Sequence, residues 1–327
     1  MKGNGFILRT PGGEILQRED CRLIRGIHPR AFVMVPFDFH EENVWSMPIT
    51  SVKQDESADA NCRYPYPDSD TTEREHSAMV RSAIAFAATN RGKCIISTVT
   101  RRPVSLPPEE LFARLEKRYP TVCTFLFSTT ATGTWLGATP ELLLGGDGKR
   151  LFTMSLAGTR PAGTEGGWDG KNREEQAIVT RFITDTLRRH GLNPEAGEPF
   201  SRQAGPVEHL CSEISAKIPH GWSMDSLREL LRALSPTPAL GGFPRREALR
   251  FIAATERHQR GYYGGFFGLI ESPSQFRLYV NLRSGRLRDD GREIALFTGG
   301  GITPLSQPRE EWLETRRKAR TLPDALS

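Results

Sequence analysis

The 327-residue sequence has no apolar run approaching the ~20 residues that a membrane-spanning helix needs. Its opening, MKGNGFILRTPGGE, puts glycines and a proline where an export signal needs an apolar stretch of at least ~7 residues. A soluble, cytoplasmic chain is therefore expected, with no membrane partner. Neither charge is in large surplus: 44 Lys and Arg stand against 39 Asp and Glu, a net +5 spread along the chain instead of gathered in a stripe. That argues against nucleic acid as a partner and leaves room for small anions. Cysteine is scarce. The five residues Cys21, Cys62, Cys94, Cys123 and Cys211 are odd in number and form no CxxC pair, which excludes a disulfide framework and a zinc site and points to reduced packing thiols. HExxH, GxSxG, a Walker loop and a dinucleotide glycine fingerprint are absent, as are internal repeats and low-complexity segments.

What is present is material for a core, 37% hydrophobic, enough for one large domain or two ordinary ones. YPYPDSD (64–70) reads as a loop after short apolar runs such as AFVMVPF. Helical spacing predicts helices over 72–92, with a Thr72/Glu75 capping box and Gly92 as the stop, and over 106–120, opened by prolines. Others are expected over 171–191, 223–234, 245–258 and 308–322. KCIISTVT, TVCTFLFSTT and TWLGATPELLL read as strands, and GGDGK (145–149) as a hairpin turn before RLFTMSL. GYYGGFFGLIES, QFRLYVNLRSG and EIALFTGGG are expected to form an antiparallel meander.

The stretch TGGGITPLSQPREEWLE (298–314) sets a site question. Three consecutive glycines weaken any regular element and suit backbone that approaches a ligand. With Pro308 in the first turn of the last helix, Glu311, Glu314 and Lys318 share one face. Two readings are open: a solvated face with a Glu314–Lys318 ion pair, or carboxylates that hold a hard cation, for which Mg²⁺ is the natural candidate, against an anion on the glycines. Lys171, Glu174 and Glu175 mark a second acidic helix start. Lys93 is either a surface lysine or an amine at a dry interior, where desolvation favours the neutral, basic form. Glu141, after Pro140, is either exposed at a strand edge or buried enough to hold its proton as a general acid.

GATPELLL (137–144), SLAGTRPAG (155–163), NREEQAIV (172–179), SPTPALGG (235–242), RGYYGGFFG (260–268), LRSG (282–285) and GGGITPLSQPREEWLETRRKA (299–319) occur in the order seen in chorismate-utilising enzymes. The chain resembles the isochorismate synthases of that family, from about Lys93 to the C-terminus. The resemblance implies an α+β fold, a single large domain of two mainly antiparallel sheets with helices packed outside. It implies a Mg²⁺-dependent isomerase with chorismate as substrate and no organic cofactor. Lys93 would be the general base that activates water for attack at C2, and Glu141 the acid that protonates the departing C4 hydroxyl. Glu175, Glu311 and Glu314 would hold Mg²⁺; Arg283 and Lys318 would bind carboxylate; Gly299, Gly300 and Gly301 would line the pocket with Gly158, Thr159, His209 and Ala239.

On this reading residues 1–327 form one chorismate-binding domain, with 1–70 a shortened N-terminal part and 93–322 the catalytic region, in a monomer or weak homodimer. Ser235, Asn281, Thr298 and Gly300 depart from the family pattern near the pocket. A salicylate synthase, which would go on to eliminate pyruvate, shares Lys93 and Glu141 and is the nearest alternative. The more remote one is a non-catalytic protein that binds an anion. The pathway served, menaquinone or siderophore, is left open.

Overall fold

The structure is a computed structural model that describes residues 3–49, 64–204 and 207–319. In chain order the strands and helices are β1 (Gly5–Arg9), β2 (Ile15–Arg18), β3 (Ile24–Arg25), β4 (Ala31–Val35), β5 (Trp45–Pro48), α1 (Glu73–Asn90), β6 (Cys94–Pro103) and α2 (Pro108–Arg118). There follow β7 (Cys123–Thr129), β8 (Gly133–Thr139), β9 (Leu142–Asp147), β10 (Arg150–Pro161), α3 (Gly170–Arg189), β11 (Pro194–Ala196), β12 (Phe200–Ala204) and β13 (Val207–Lys217). The chain closes with α4 (Met224–Leu234), α5 (Arg245–Thr255), β14 (Phe266–Ser272), β15 (Gln275–Val280), β16 (Ser284–Leu287), β17 (Glu293–Ile302) and α6 (Pro308–Ala319).

The strands build two sheets, ordered β2-β1-β7-β8-β16-β17-β6 and β11-β13-β10-β9-β15-β14-β4-β5-β3, with β12 paired to β13. Alternation along the strands sends one set of side chains between the sheets and the other outward. The inner set is aromatic: Phe6 stacks on Phe32 at 4.3 Å between ring centres, and Phe125 lies 4.0 Å from Phe267, each pair joining the two sheets. Leucines of α4 and the Val179, Ile183 and Leu187 stripe of α3 cover the outside of the larger sheet. Leu111, Phe112 and Leu115 of α2 cover part of the smaller one, and α1 and α5 close over Cys94, Ile96 and Ile302. The expected α+β architecture is the one found.

Several boundaries differ from expectation for local reasons. The capping box at Thr72 forms, but the left-handed residue that ends α1 is Arg91, not Gly92. A Cβ on Gly92 would lie 1.9 Å from the Phe243 carbonyl oxygen, so glycine is needed there for close packing. Helix α5 stops at Thr255, and Glu256 beyond it turns inward to pair with Arg260. Helix α3 opens at Gly170 behind its cap Asp169, so Glu174 and Glu175 lie past the first turn and gain little from the helix dipole. The terminal helix is described to Ala319; residues 320–322 of the expected span, Cys62 and the Thr159 and Lys171 side chains lie outside what is described.

The closing meander is the main correction. β14 pairs with β15 in the larger sheet, whereas β16 and β17 pair in the smaller one. The chain changes sheets at residues 281–283, where Asn281 exchanges main-chain hydrogen bonds with Gly264 and Gly265 and Arg283 takes φ +47°. A second passage lies at Pro140 and Glu141, between β8 of the smaller sheet and β9 of the larger. The two passages are tied: Val280 N–H donates to the Glu141 carbonyl at 3.0 Å, and Ala138 N–H to that of Arg283 at 3.2 Å. Gly137 permits the contact, since a Cβ there would meet the Arg283 oxygen at 2.6 Å.

Candidate active site

Lys93 precedes β6 and is 1% exposed. The SPTPALGG loop grips its main chain through a pair of hydrogen bonds with Phe243, of 2.9 and 2.7 Å. Gly242, at φ +91°, lets the loop touch: a Cβ there would lie 2.4 Å from the Lys93 carbonyl oxygen. The side chain then runs inward, and Nζ meets Glu175 Oε1 of α3 at 2.9 Å. The surface reading of Lys93 is thereby excluded.

Glu141 is also buried, which excludes the exposed-edge reading. Burial raises its carboxyl from the usual 4.5 to about 7, while Lys93 and Arg283 pull it back down. Both cations thus lie within electrostatic reach of the acid. Arg283 Nη2 donates to His209 Nε2 at 2.9 Å, and His209 Nδ1–H donates to the Gly158 carbonyl at 3.0 Å. The pair of bonds fixes His209 as a neutral ring with its proton on Nδ1. Burial first, then Arg283, lowers its pKa to about 4; Lys318 adds to the shift and Glu314 opposes it. Gly158 sits at φ +74° in an irregularity of the β10–β13 pairing, and a Cβ on it would strike Asn172 of α3 at 2.7 Å.

The glycines lie at the end of β17, against β6. A Cβ on Gly301 would be 2.8 Å from Glu175 Oε1, and one on Gly300 would be 3.3 Å from Glu311 Oε2. Lys318 Nζ donates to the Gly299 carbonyl at 3.0 Å and pairs with Glu314 at 2.7 Å. The Glu314–Lys318 ion pair expected on one reading is present, and Glu175 and Glu311 lie against the glycines. Ser306 Oγ–H donates to buried Glu311 at 2.6 Å. Ala239, half-buried on the loop that grips Lys93, packs against the aliphatic core and offers an apolar wall.

Two residues not singled out from the sequence belong to this neighbourhood. Tyr263 is buried, its hydroxyl 3.1 Å from the place a Gly299 Cβ would occupy; burial holds it protonated, Arg260 opposes this, and Glu256 and then Glu141 add to it. It stands in RGYYGGFFG, where two adjacent tyrosines gave no sign of which one faces the glycines. Ser306 was hidden in a turn. Among the departures from the family pattern, Thr298 is matched across the strands by Thr98, hydroxyl to hydroxyl at 2.8 Å. The Asn281 amide is buried, and neither of its atoms has a hydrogen-bond partner among the described residues. A cavity of about 490 Å³, lined among others by Tyr66, Met79, Arg257 and His258, shares no residue with the cluster. Among the described residues no helix is long and apolar enough to cross a membrane.

A buried carboxylic acid, a buried amine, an arginine oriented by a neutral histidine and a glycine-lined wall beside carboxylates are the groups that acid–base chemistry on a small anion calls for. The chain belongs to the chorismate binding enzymes, whose family pattern matches residues 41–327. It is 32% identical over 260 residues to the isochorismate synthase EntC of Escherichia coli K12, covering 75% of this chain and 65% of that one. It is 30% identical over 221 residues to the isochorismate synthase MenF of Haemophilus influenzae, covering 64% and 50% respectively. It thus spans between half and two thirds of the length of these relatives. The fold matches that of MenF, the menaquinone-specific isochorismate synthase from Escherichia coli, with a TM-score of 0.80 over 99% of this chain and 89% of that one, at 20% identity.

Proposed function

We propose that residues 93–322 catalyse the conversion of chorismate to isochorismate, within a single domain that spans 1–327. The observation that carries this is the burial of both Lys93 and Glu141, with Lys93 close enough to act electrostatically on an acid whose pKa of about 7 leaves it able to give a proton near neutrality. Lys93, once it has given up its proton and is a neutral amine, takes a proton from water as the water oxygen bonds to C2; Glu141 gives one to the C4 hydroxyl, which leaves as water. One water enters and one departs, so the step is an isomerisation and needs no redox partner. Arg283, held by His209, and Lys318, held at Gly299, are the cationic partners for the substrate's carboxylates.

Glu175, Glu311 and Glu314 are the residues that would hold Mg²⁺. All three are hard oxygen donors, and two of them press against Gly301 and Gly300, where no side chain competes for the space. Among the described residues no three acidic, histidine or cysteine side chains form a ready-made metal cluster. Mg²⁺ commonly takes one or two carboxylates and keeps several waters, so the donor set fits it. When bound, the ion supplies positive charge that fixes a substrate carboxylate.

Incubation of the chain with chorismate and MgCl₂, followed by chromatography, tests this reading. Isochorismate is the expected product. Salicylate with pyruvate would overturn it in favour of the synthase alternative, and no Mg²⁺-dependent turnover would overturn it in favour of simple anion binding.

A further inference from the structure

Glu175 lies against Gly301, Glu311 lies against Gly300, and Glu314 pairs with the lysine that is bonded to Gly299, so three like charges face one region of β17 and repel one another. Two of these carboxylates are engaged by lysines: Lys93 Nζ holds Glu175 Oε1 at 2.9 Å, and Lys318 Nζ holds Glu314 Oε1 at 2.7 Å. The third accepts the Ser306 hydroxyl at 2.6 Å. The two lysines come from opposite ends of the catalytic region, one before β6 and one in the last turn of α6, yet each meets a different proposed ligand of the cation.

We infer that Lys93 and Lys318 are internal counter-ions of the carboxylate cluster, displaced from it by a divalent cation, so that cation binding and release of the two ammonium groups are one coupled event. Lysine is almost never fully buried without a partner, and Glu175 is the partner that makes the burial of Lys93 tolerable. A cation on Glu175 takes that partner away and leaves Lys93 to the anionic groups of a bound ligand. Lys318 keeps its bond to the Gly299 carbonyl when Glu314 is taken, so it remains at the glycine wall where an anion would lie. The coupling is reciprocal: whatever affinity the lysines cost the cation, the cation costs the lysine–glutamate pairs. While it is paired with Glu175, Lys93 is an ammonium and has no lone pair with which to take a proton from water.

This rests on the proposed roles of Glu175 and Glu314 as cation ligands, and its test uses no chorismate, so it stands or fails apart from product identity. Titration calorimetry with MgCl₂ is run on the parent chain and on Lys93→Met, Lys318→Met and Lys318→Arg. Each methionine variant should bind Mg²⁺ roughly tenfold more tightly, with the arginine variant close to the parent. Equal or weaker binding in both methionine variants overturns the inference, as does a lack of Mg²⁺ binding by every chain; a gain in one variant alone overturns it for the other lysine. Should a methionine variant fail to fold, amine acylation of the parent chain, read by peptide mass spectrometry, decides. Modification of Lys318 should quicken when MgCl₂ is added, and an unchanged rate overturns the inference.

Discussion

Burial that lifts the Glu141 carboxyl from 4.5 to about 7 makes two pH dependences. Between those values the folded chain holds a proton that the unfolded chain has released, so stability falls as pH rises across that window. Turnover should fall above about pH 7, where the acid is spent. Glu141→Gln should lower turnover by roughly 10² to 10⁴ and remove that loss of stability, as denaturant midpoints at pH 5 and pH 8 would show. The glycines give a second comparison. Gly301→Ala forces a methyl within 2.8 Å of Glu175 Oε1, whereas Gly300→Ala asks Glu311 to yield only a few tenths of an ångström. Gly301→Ala should therefore reduce turnover by roughly 10- to 100-fold, and Gly300→Ala by much less, in initial-rate assays. Motif order was enough to single out Lys93, Glu141 and Glu175. Their burial and mutual distances were not legible, because a lysine before a strand and a glutamate after a proline read equally well as surface residues.

Helices α1 and α6 meet along a seam where His76, fully buried, lies 5.4 Å from the Trp312 ring. Neither of its ring nitrogens has a hydrogen-bond partner among the described residues, and burial lowers its pKa to about 4. Because the folded value lies below the usual 6.5, the unfolded chain gains the proton first, and stability is lost as pH falls from 6.5 toward 4. His76→Leu should remove that loss and add about 1–3 kcal/mol at pH 5, measured by urea unfolding at pH 5 and pH 7. Helices were the most readable elements, since caps such as Thr72 with Glu75 and a 3.6-residue apolar stripe are local signals. Strand partners were less so. QFRLYVNLRSG is one apolar run in the sequence but serves two sheets, because the change of direction at residues 281–283 depends on main-chain bonds to Gly264 and Gly265, far from any local pattern.

Across the molecule, Glu256 and Arg260 form a buried ion pair that binds three segments: Glu256 accepts from Ser97 N–H, and Arg260 donates to the carbonyls of Ile95 and Leu240. The strand that follows Lys93 and the loop that grips it are thus locked to one another. Glu256→Gln should destabilise the chain by about 3–5 kcal/mol, read from the denaturant midpoint, because it strands a buried guanidinium. The α+β class was legible in the mixture of patterns and in the family resemblance; the aromatic seam between the sheets was not, since Phe6, Phe32, Phe125 and Phe267 are far apart in the chain.

The two passages between sheets, at Glu141 and at residues 281–283, decide where the backbone tolerates a break. The acid and the arginine sit on crossings stitched together by their own main chains. A nick at the exposed hairpin tip around Gly148 and Lys149 would leave both crossings anchored on each side, whereas a nick at Leu282 would detach Arg283 from its moorings. Limited proteolysis or circular permutation at the tip should thus yield an assembly that still turns over, and the same cut at Leu282 an inert one.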